Sequence, residues 1–137
     1  MRFSATVQAA GSVSRVRLVA EIAGKGSAEC ELVRHLAPLT TSALLKGLPV
    51  QDRVHRLEDK FVYIETGLVI GAEKAKTQFK RGDLAFLPSN GAICFVIRDC
   101  ATQAMNAIGK IVNNIEVIEG VQTGDVIAVK RLATITT

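Results

Sequence analysis

Apolar and polar residues alternate from the start of the chain. Phe3, Ala5, Val7 and Ala9 interleave with Ser4, Thr6 and Gln8. A period of two puts one set on a buried face, which predicts a strand. Gly11 and Ser12 supply a turn. Val16, Leu18, Ala20 and Ile22 then interleave with Arg15, Arg17, Val19 and Glu21. The two strands read as an antiparallel hairpin. Gly24-Lys25-Gly26-Ser27 breaks the pattern, and Ser27 suits the position that opens a helix. Glu29 and Glu31 suit its positive end, Leu32, Val33 and Leu36 make an apolar face, and Pro38 stops it. A short helix is expected near 28–37. Residues 41–46 fit helix or strand, and periodicity does not choose between them.

The second half reads mainly as strands. Arg53–Leu57 and Phe61–Ile70 are rich in β-branched and aromatic residues. Residues 71–80 are polar and mixed, which suits a loop with a ragged strand. Gly82-Asp83 is a turn, and Leu84–Leu87 a short strand. Pro88-Ser89-Asn90-Gly91 is the strongest turn, because Asn-Gly accepts positive φ. Ala92–Ile97 is continuously apolar, as a strand buried on both faces would be. Ala107–Val112 is another strand. Asn113 or Asn114 caps a short helix through Ile115 and Ile118, closed by Gly120. Gly124-Asp125 turns the chain into Val126–Leu132. Seven to nine strands and two short helices suggest an antiparallel barrel or sandwich. The absence of βαβ alternation argues against a parallel nucleotide-binding sheet.

Composition narrows the classes. At 137 residues the chain fits one domain, residues 1–137. Apolar residues are 48%, so a packed core is expected, but aromatics are only 4%, so that core is aliphatic. Few rings also argue against a surface that stacks bases. The net charge of +4 is spread evenly: nine basic and seven acidic groups in residues 1–68, eight and six in 69–137. With no basic block, nucleic acid is not an expected partner. The longest apolar runs are about six residues, as in Ala92–Ile97, too short to span a bilayer. Cys30, Cys94 and Cys100 are odd in number and form no CxxC, so reduced thiols and a cytoplasmic location are expected.

Familiar catalytic patterns are missing. GxSxG, GxGxxG and a P-loop do not occur, and no cofactor is implied. No spacing places His35 or His55 with cysteine or acid as a metal site. His35 suits the last turn of the first expected helix, where a cation is favoured. Cys94 reads as a small core residue. Cys100 has only Arg98 nearby to activate a thiol, so a catalytic role is not expected.

Three stretches resemble the cyclophilin barrel. They are Val54-His55-Arg56-Leu57-Glu58-Asp59-Lys60-Phe61, Asn90-Gly91-Ala92-Ile93-Cys94-Phe95-Val96 and Ile108-Gly109-Lys110-Ile111. A closer resemblance is to the small cyclophilin-like proteins of bacteria and archaea, a family without an established function. It rests on Gly82-Asp83-Leu84-Ala85-Phe86-Leu87-Pro88, on Asn106-Ala107-Ile108-Gly109-Lys110-Ile111-Val112, and on Gly124-Asp125-Val126-Ile127-Ala128-Val129. The resemblance implies a mainly β fold, a closed antiparallel eight-stranded barrel capped by two short helices.

It also implies candidate residues. Cyclophilins rotate the peptide bond before proline, against a barrier of about 20 kcal/mol. An arginine that donates to the prolyl nitrogen favours the twisted state. Arg56 matches that arginine, and Phe61 and Phe95 match two pocket phenylalanines. Strand alternation would turn Arg56 to a solvent groove and His55 to the interior. The departures are large. Val54 replaces a Phe, Val62 and Ile64 replace Met and Gln, Ile93 replaces a Gln, and Met105 stands near the place of a pocket His. The tryptophan is absent.

The expectation is therefore a barrel that binds a small ligand or an extended peptide without efficient catalysis. Its groove would lie near Arg56, Phe61, Phe86, Ile93, Phe95 and Met105. The alternative is a minimal, weak peptidyl-prolyl isomerase using Arg56. A third reading is a subunit or scaffold whose edge strands or apolar patch pair with a copy of itself or with a partner.

Overall fold

The computed structural model describes residues 14–132. The strand expected over Phe3–Ala9, its hairpin partner role and the Gly11-Ser12 turn lie outside the described residues. In chain order the elements are β1 (Arg15–Ile22), β2 (Gly26–Val33), a 3-10 turn (Arg34–Leu36), α1 (Pro38–Gly47), β3 (Val50–Arg53), β4 (His55–Leu57), β5 (Phe61–Glu65), β6 (Lys76–Phe79), β7 (Asp83–Leu87), β8 (Ala92–Val96), β9 (Cys100–Asn113), α2 (Ile115–Glu119) and β10 (Val126–Arg131). No helix among the described residues is long and apolar enough to cross a membrane.

The strands form one antiparallel path, β3-β10-β1-β2-β9-β7-β8-β5-β4, with β6 attached to β9. This corrects the closed eight-stranded barrel. The described residues hold ten strands, and the path has two ends, β3 and β4, that no ladder joins. Those ends are consecutive in the chain, with buried Val54 between them. The Val54 N–H donates to the Asp125 carbonyl at 2.6 Å and its carbonyl accepts the Gly124 N–H at 3.2 Å. Between β3 and β5, the Glu65 N–H donates to the Asp52 carboxylate at 2.9 Å. A side chain thus stands where a ladder would close the sheet.

The helix expected over 28–37 is strand β2 instead. Ala28, Cys30 and Leu32 are buried while Glu29 and Glu31 face out, a period of two. The acids serve a sheet rather than a helix end. Arg17 pairs with Glu29 at 2.9 Å and Arg15 with Glu31 at 3.0 Å across the β1–β2 ladder. Pro38 opens α1 instead of ending a helix, because in the first turn its missing amide costs no hydrogen bond. Residues 41–46 are helical. His35 lies in the exposed 3-10 turn, where its carbonyl accepts from Lys74 Nζ at 3.2 Å. The strand expected over Phe61–Ile70 ends at Glu65, and β9 begins at Cys100, earlier than expected.

Alternation along the central strands creates two cores. Val62, Ile64, Leu84, Phe86, Ile93 and Phe95 point into the larger one, with Leu44 of α1 and Ile118 of α2. Phe61, Ala85, Leu87, Cys94, Val96 and Met105 point to the opposite face, covered by Phe79 of β6. The continuous apolar run of β8 follows from this, since both of its faces are buried.

A polar clamp fixes α1 to the sheet. The Glu73 carboxylate accepts the N–H groups of Leu39 (3.0 Å) and Thr40 (2.8 Å) and the Thr40 hydroxyl (2.7 Å). These amides would otherwise be orphans of the first helical turn. Burial works against the Glu73 charge, but those donors and Lys74 outweigh it and hold the carboxyl below its ordinary range. Fully buried Asn106 of β9 accepts the Glu73 N–H at 2.8 Å and donates to Thr40 Oγ1 and the Gly71 carbonyl, both at 3.0 Å.

Candidate functional site

Arg56 does not face an open groove. Its Nη1 donates to the carbonyls of Glu119 (3.3 Å), the last residue of α2, and Val121 (2.6 Å), just past it. Its Nη2 lies 3.7 Å from Asp59. A short helix leaves its last carbonyls without intrahelical partners, and a guanidinium beside them satisfies both charge and hydrogen bonding. The orientation expected for this strand is reversed. The Arg56 side chain is 23% exposed, whereas His55 is 44% exposed and stacks on Tyr63 with ring centroids 5.1 Å apart. Arg56→Ala is expected to lower folding stability by about 1–3 kcal/mol, the worth of charged hydrogen bonds to orphaned carbonyls. A urea midpoint equal to wild type would show that α2 does not need this cap.

The five apolar candidates are split between the two cores. Phe86, Ile93 and Phe95 belong to the larger core, Phe61 and Met105 to the smaller. None is more than 2% exposed. The geometry therefore does not assemble them with Arg56 into one surface groove.

A cavity of about 680 Å³ lies elsewhere, over the open side of the smaller core. Its walls come from β6, β7 and β9, with Leu36 of the 3-10 turn at one edge. Phe79 and Ala107 give it an apolar floor. Lys76, Lys80 and Lys110 supply three ammonium groups. None of the three forms an ion pair among the described residues. Lys76 instead rests over the Phe79 ring, 5.0 Å from its centroid.

The two acids of the cavity are already engaged. Asp83 accepts the Lys80 N–H and Asp99 the Arg81 N–H, each at 2.8 Å. The first is a local turn bond of the kind aspartate makes with nearby backbone, and the second ties the segment before β9 to the Gly82 turn. The cavity thus offers cations to a ligand and has its carboxylates tied to the main chain. Sequence spacing did not point to this site, because its lysines sit on β6, just after it, and on β9.

Cys100 also lines the cavity. Burial pushes its thiol above the ordinary range, Asp99 and Asp83 push the same way, and Lys60 opposes them. The thiolate that a nucleophile needs is disfavoured. The buried thiols are further displaced: burial pushes Cys30 up to about 12 and raises Cys94 as well. All three cysteines are free.

The motif residues behind the family resemblance have structural roles here. Gly91 takes φ +62° in the turn before β8, and a Cβ there would press on the Leu68 carbonyl. Gly109 lets β9 lie against β2, since a Cβ would collide with the Glu31 carbonyl. Asp83 closes the Gly82 turn, and Asn106 holds the α1 clamp.

Taken together, the antiparallel topology, the two helices and these turns define a cyclophilin-like fold. The Cyclophilin-like family model matches residues 14–130, and the chain belongs to that family. Among solved structures it is similar to the hypothetical protein AF2241 from Archaeoglobus fulgidus, with a TM-score of 0.73 and 29% identity over 87% of this chain and 96% of that one. It is also similar to McbB in complex with tryptophan, with a TM-score of 0.70 and 12% identity over 88% of this chain and 46% of that one. No curated protein matches the chain.

Proposed function

We propose that this protein is a non-catalytic binding module whose ligand is a small organic anion with an apolar body, held in the cavity between β6, β7 and β9. The observation that carries this reading is three lysines around an apolar floor, none of them ion-paired among the described residues. All three lysines are solvent-exposed, so their charge is available to attract the anionic group of a ligand that rests on the apolar floor. The volume of about 680 Å³ suits a small molecule. McbB, a protein of similar fold, carries tryptophan, which combines a ring with a carboxylate. On this reading the ligand lies away from the residues expected from the cyclophilin resemblance.

The isomerase alternative finds less support. A prolyl catalyst needs a guanidinium aimed at substrate, and Arg56 has its Nη1 bonded to the Val121 and Glu119 carbonyls and its Nη2 turned to Asp59. An assay on a short proline peptide is expected to show the uncatalysed rate, tens to hundreds of seconds, with and without protein. Acceleration that disappears with Arg56→Ala would restore the isomerase.

The binding test compares small aromatic carboxylates with their neutral amides by thermal shift. The carboxylates are expected to raise Tm and the amides not. Lys80→Gln and Lys110→Gln are each expected to weaken carboxylate binding about tenfold, or 1.4 kcal/mol. Equal response to acids and amides, or binding unchanged in both variants, would remove the anion from the proposal.

A further inference from the structure

We infer that Asp52, His55 and Glu65 form a binding site for a divalent metal ion of the Zn²⁺ type, at the seam where the sheet stays open. The three residues come from β3, β4 and β5. One ligand atom from each lies within 4.8 Å of the other two. His55 Nε2 stands 3.8 Å from Asp52 Oδ2. Zinc takes nitrogen and oxygen ligands at roughly 2.1 Å, so two ligands of one tetrahedral ion stand about 3.4 Å apart. The pair needs to close by only about 0.4 Å to share an ion at that spacing.

The charge arrangement points the same way. Neither Asp52 nor Glu65 pairs with Lys or Arg among the described residues, whereas Glu29, Glu31, Glu119 and Asp125 each do. Two carboxylates gathered without a counter-charge repel each other, and a divalent cation removes that cost. The ligands are also braced. The His55 ring lies against Tyr63 at an interplanar angle of 23°, and the Glu65 N–H fixes the Asp52 carboxylate at 2.9 Å. Such outer contacts orient metal ligands.

One imidazole and two carboxylates make a borderline-to-hard donor set. It suits Zn²⁺ or Mn²⁺ and disfavours Cu⁺. Three protein ligands leave a position for water. The bound ion would join β3 to the β4–β5 hairpin, across the gap that no ladder closes. Sequence spacing hides the site because the chain brings Glu65 back to Asp52 only through the β4–β5 hairpin. The site is separate from the lysine cavity, whose walls are β6, β7 and β9.

The test is a calorimetric titration of the full chain with ZnCl₂, read beside Tm. Wild type is expected to take up one equivalent of Zn²⁺ saturably and to melt at a higher temperature when loaded. Glu65→Gln changes an exposed side chain and keeps the fold. It and His55→Gln are expected to weaken uptake by about tenfold or more. His35→Gln and Cys100→Ser, which remove the other histidine and the most accessible thiol, are expected to change nothing. The inference is overturned if wild type shows no saturable uptake below about 1 mM. Uptake undiminished in both Glu65→Gln and His55→Gln overturns it too, as does loss confined to His35→Gln or Cys100→Ser.

Discussion

Gly109→Ala is expected to cost about 3 kcal/mol or more of folding stability, at the upper end of overpacking effects. An added Cβ would collide with the Glu31 carbonyl oxygen, and it would stand 2.9 Å from that carbonyl's carbon and 3.0 Å from Leu32 Cα. All three atoms are backbone, so no change of rotamer relieves the clash. Relief requires β2 and β9 to move apart where Leu32 pairs with Gly109. Leu32 and Ile108, both fully buried, pack in the larger core beside this point. Separation therefore loosens the core as well as the ladder. Stability of a small domain is only about 5–15 kcal/mol, so one methyl group removes a large share. Gly71→Ala is the control. Its Cβ would meet nothing within 4 Å, and its effect is expected within about 0.5 kcal/mol of wild type. Urea midpoints measure both. Equal midpoints for Gly109→Ala and Gly71→Ala would mean that β9 can shift freely past β2.

The contrast between residues 92–97 and 28–33 explains how far the sequence could be read. Ala92–Ile97 is apolar at every position, and both faces of β8 are buried, so pattern and structure agree. In β2 the same residues satisfy two descriptions. Ser27, Glu29 and Glu31 fit the start of a helix and also the outer face of a strand. The decision comes from Arg15 and Arg17 across the ladder, a pairing that local spacing does not contain. Closure of the sheet was equally hidden, because it depends on whether β3 meets a partner far along the path. The match of Arg56 to a family arginine locates the strand correctly but not the use of the side chain, which is set by the carbonyls at the end of α2. The lysine cavity was invisible for a related reason. Lys76, Lys80 and Lys110 share no periodicity and meet only because β6 and β7 both flank β9. What the family motifs make legible is the turn and the close approach, and these carry fold rather than chemistry.

Asn106→Ala tests that last point where a side chain, not a glycine, is concerned. The substitution removes three hydrogen bonds of 2.8–3.0 Å in a fully buried position. It leaves the Glu73 N–H and the Gly71 carbonyl, both in part-buried bonds, without this partner, and an orphaned group costs about 1–3 kcal/mol where water does not reach it. Partial rescue by water at the loop reduces the sum, so the expected loss is about 3 kcal/mol. The damage has a direction. Glu73 can no longer be held against Leu39 and Thr40, so the first turn of α1 loses its acceptor. Amides of Leu39, Thr40 and Glu73 are expected to exchange with solvent faster than those of β8, which share no bond with the clamp. Asn106→Asp separates hydrogen bonding from volume. Its carboxylate can still accept the Glu73 N–H, but it cannot donate to Gly71 and it stands near the Glu73 charge. It is expected to be as destabilised as the alanine variant despite filling the space. If either variant keeps the wild-type urea midpoint and the slow exchange of Leu39 and Thr40, the clamp does not hold α1. The asparagine would then require an explanation outside folding, and the adjoining cavity wall at Ala107 is where that explanation would be sought.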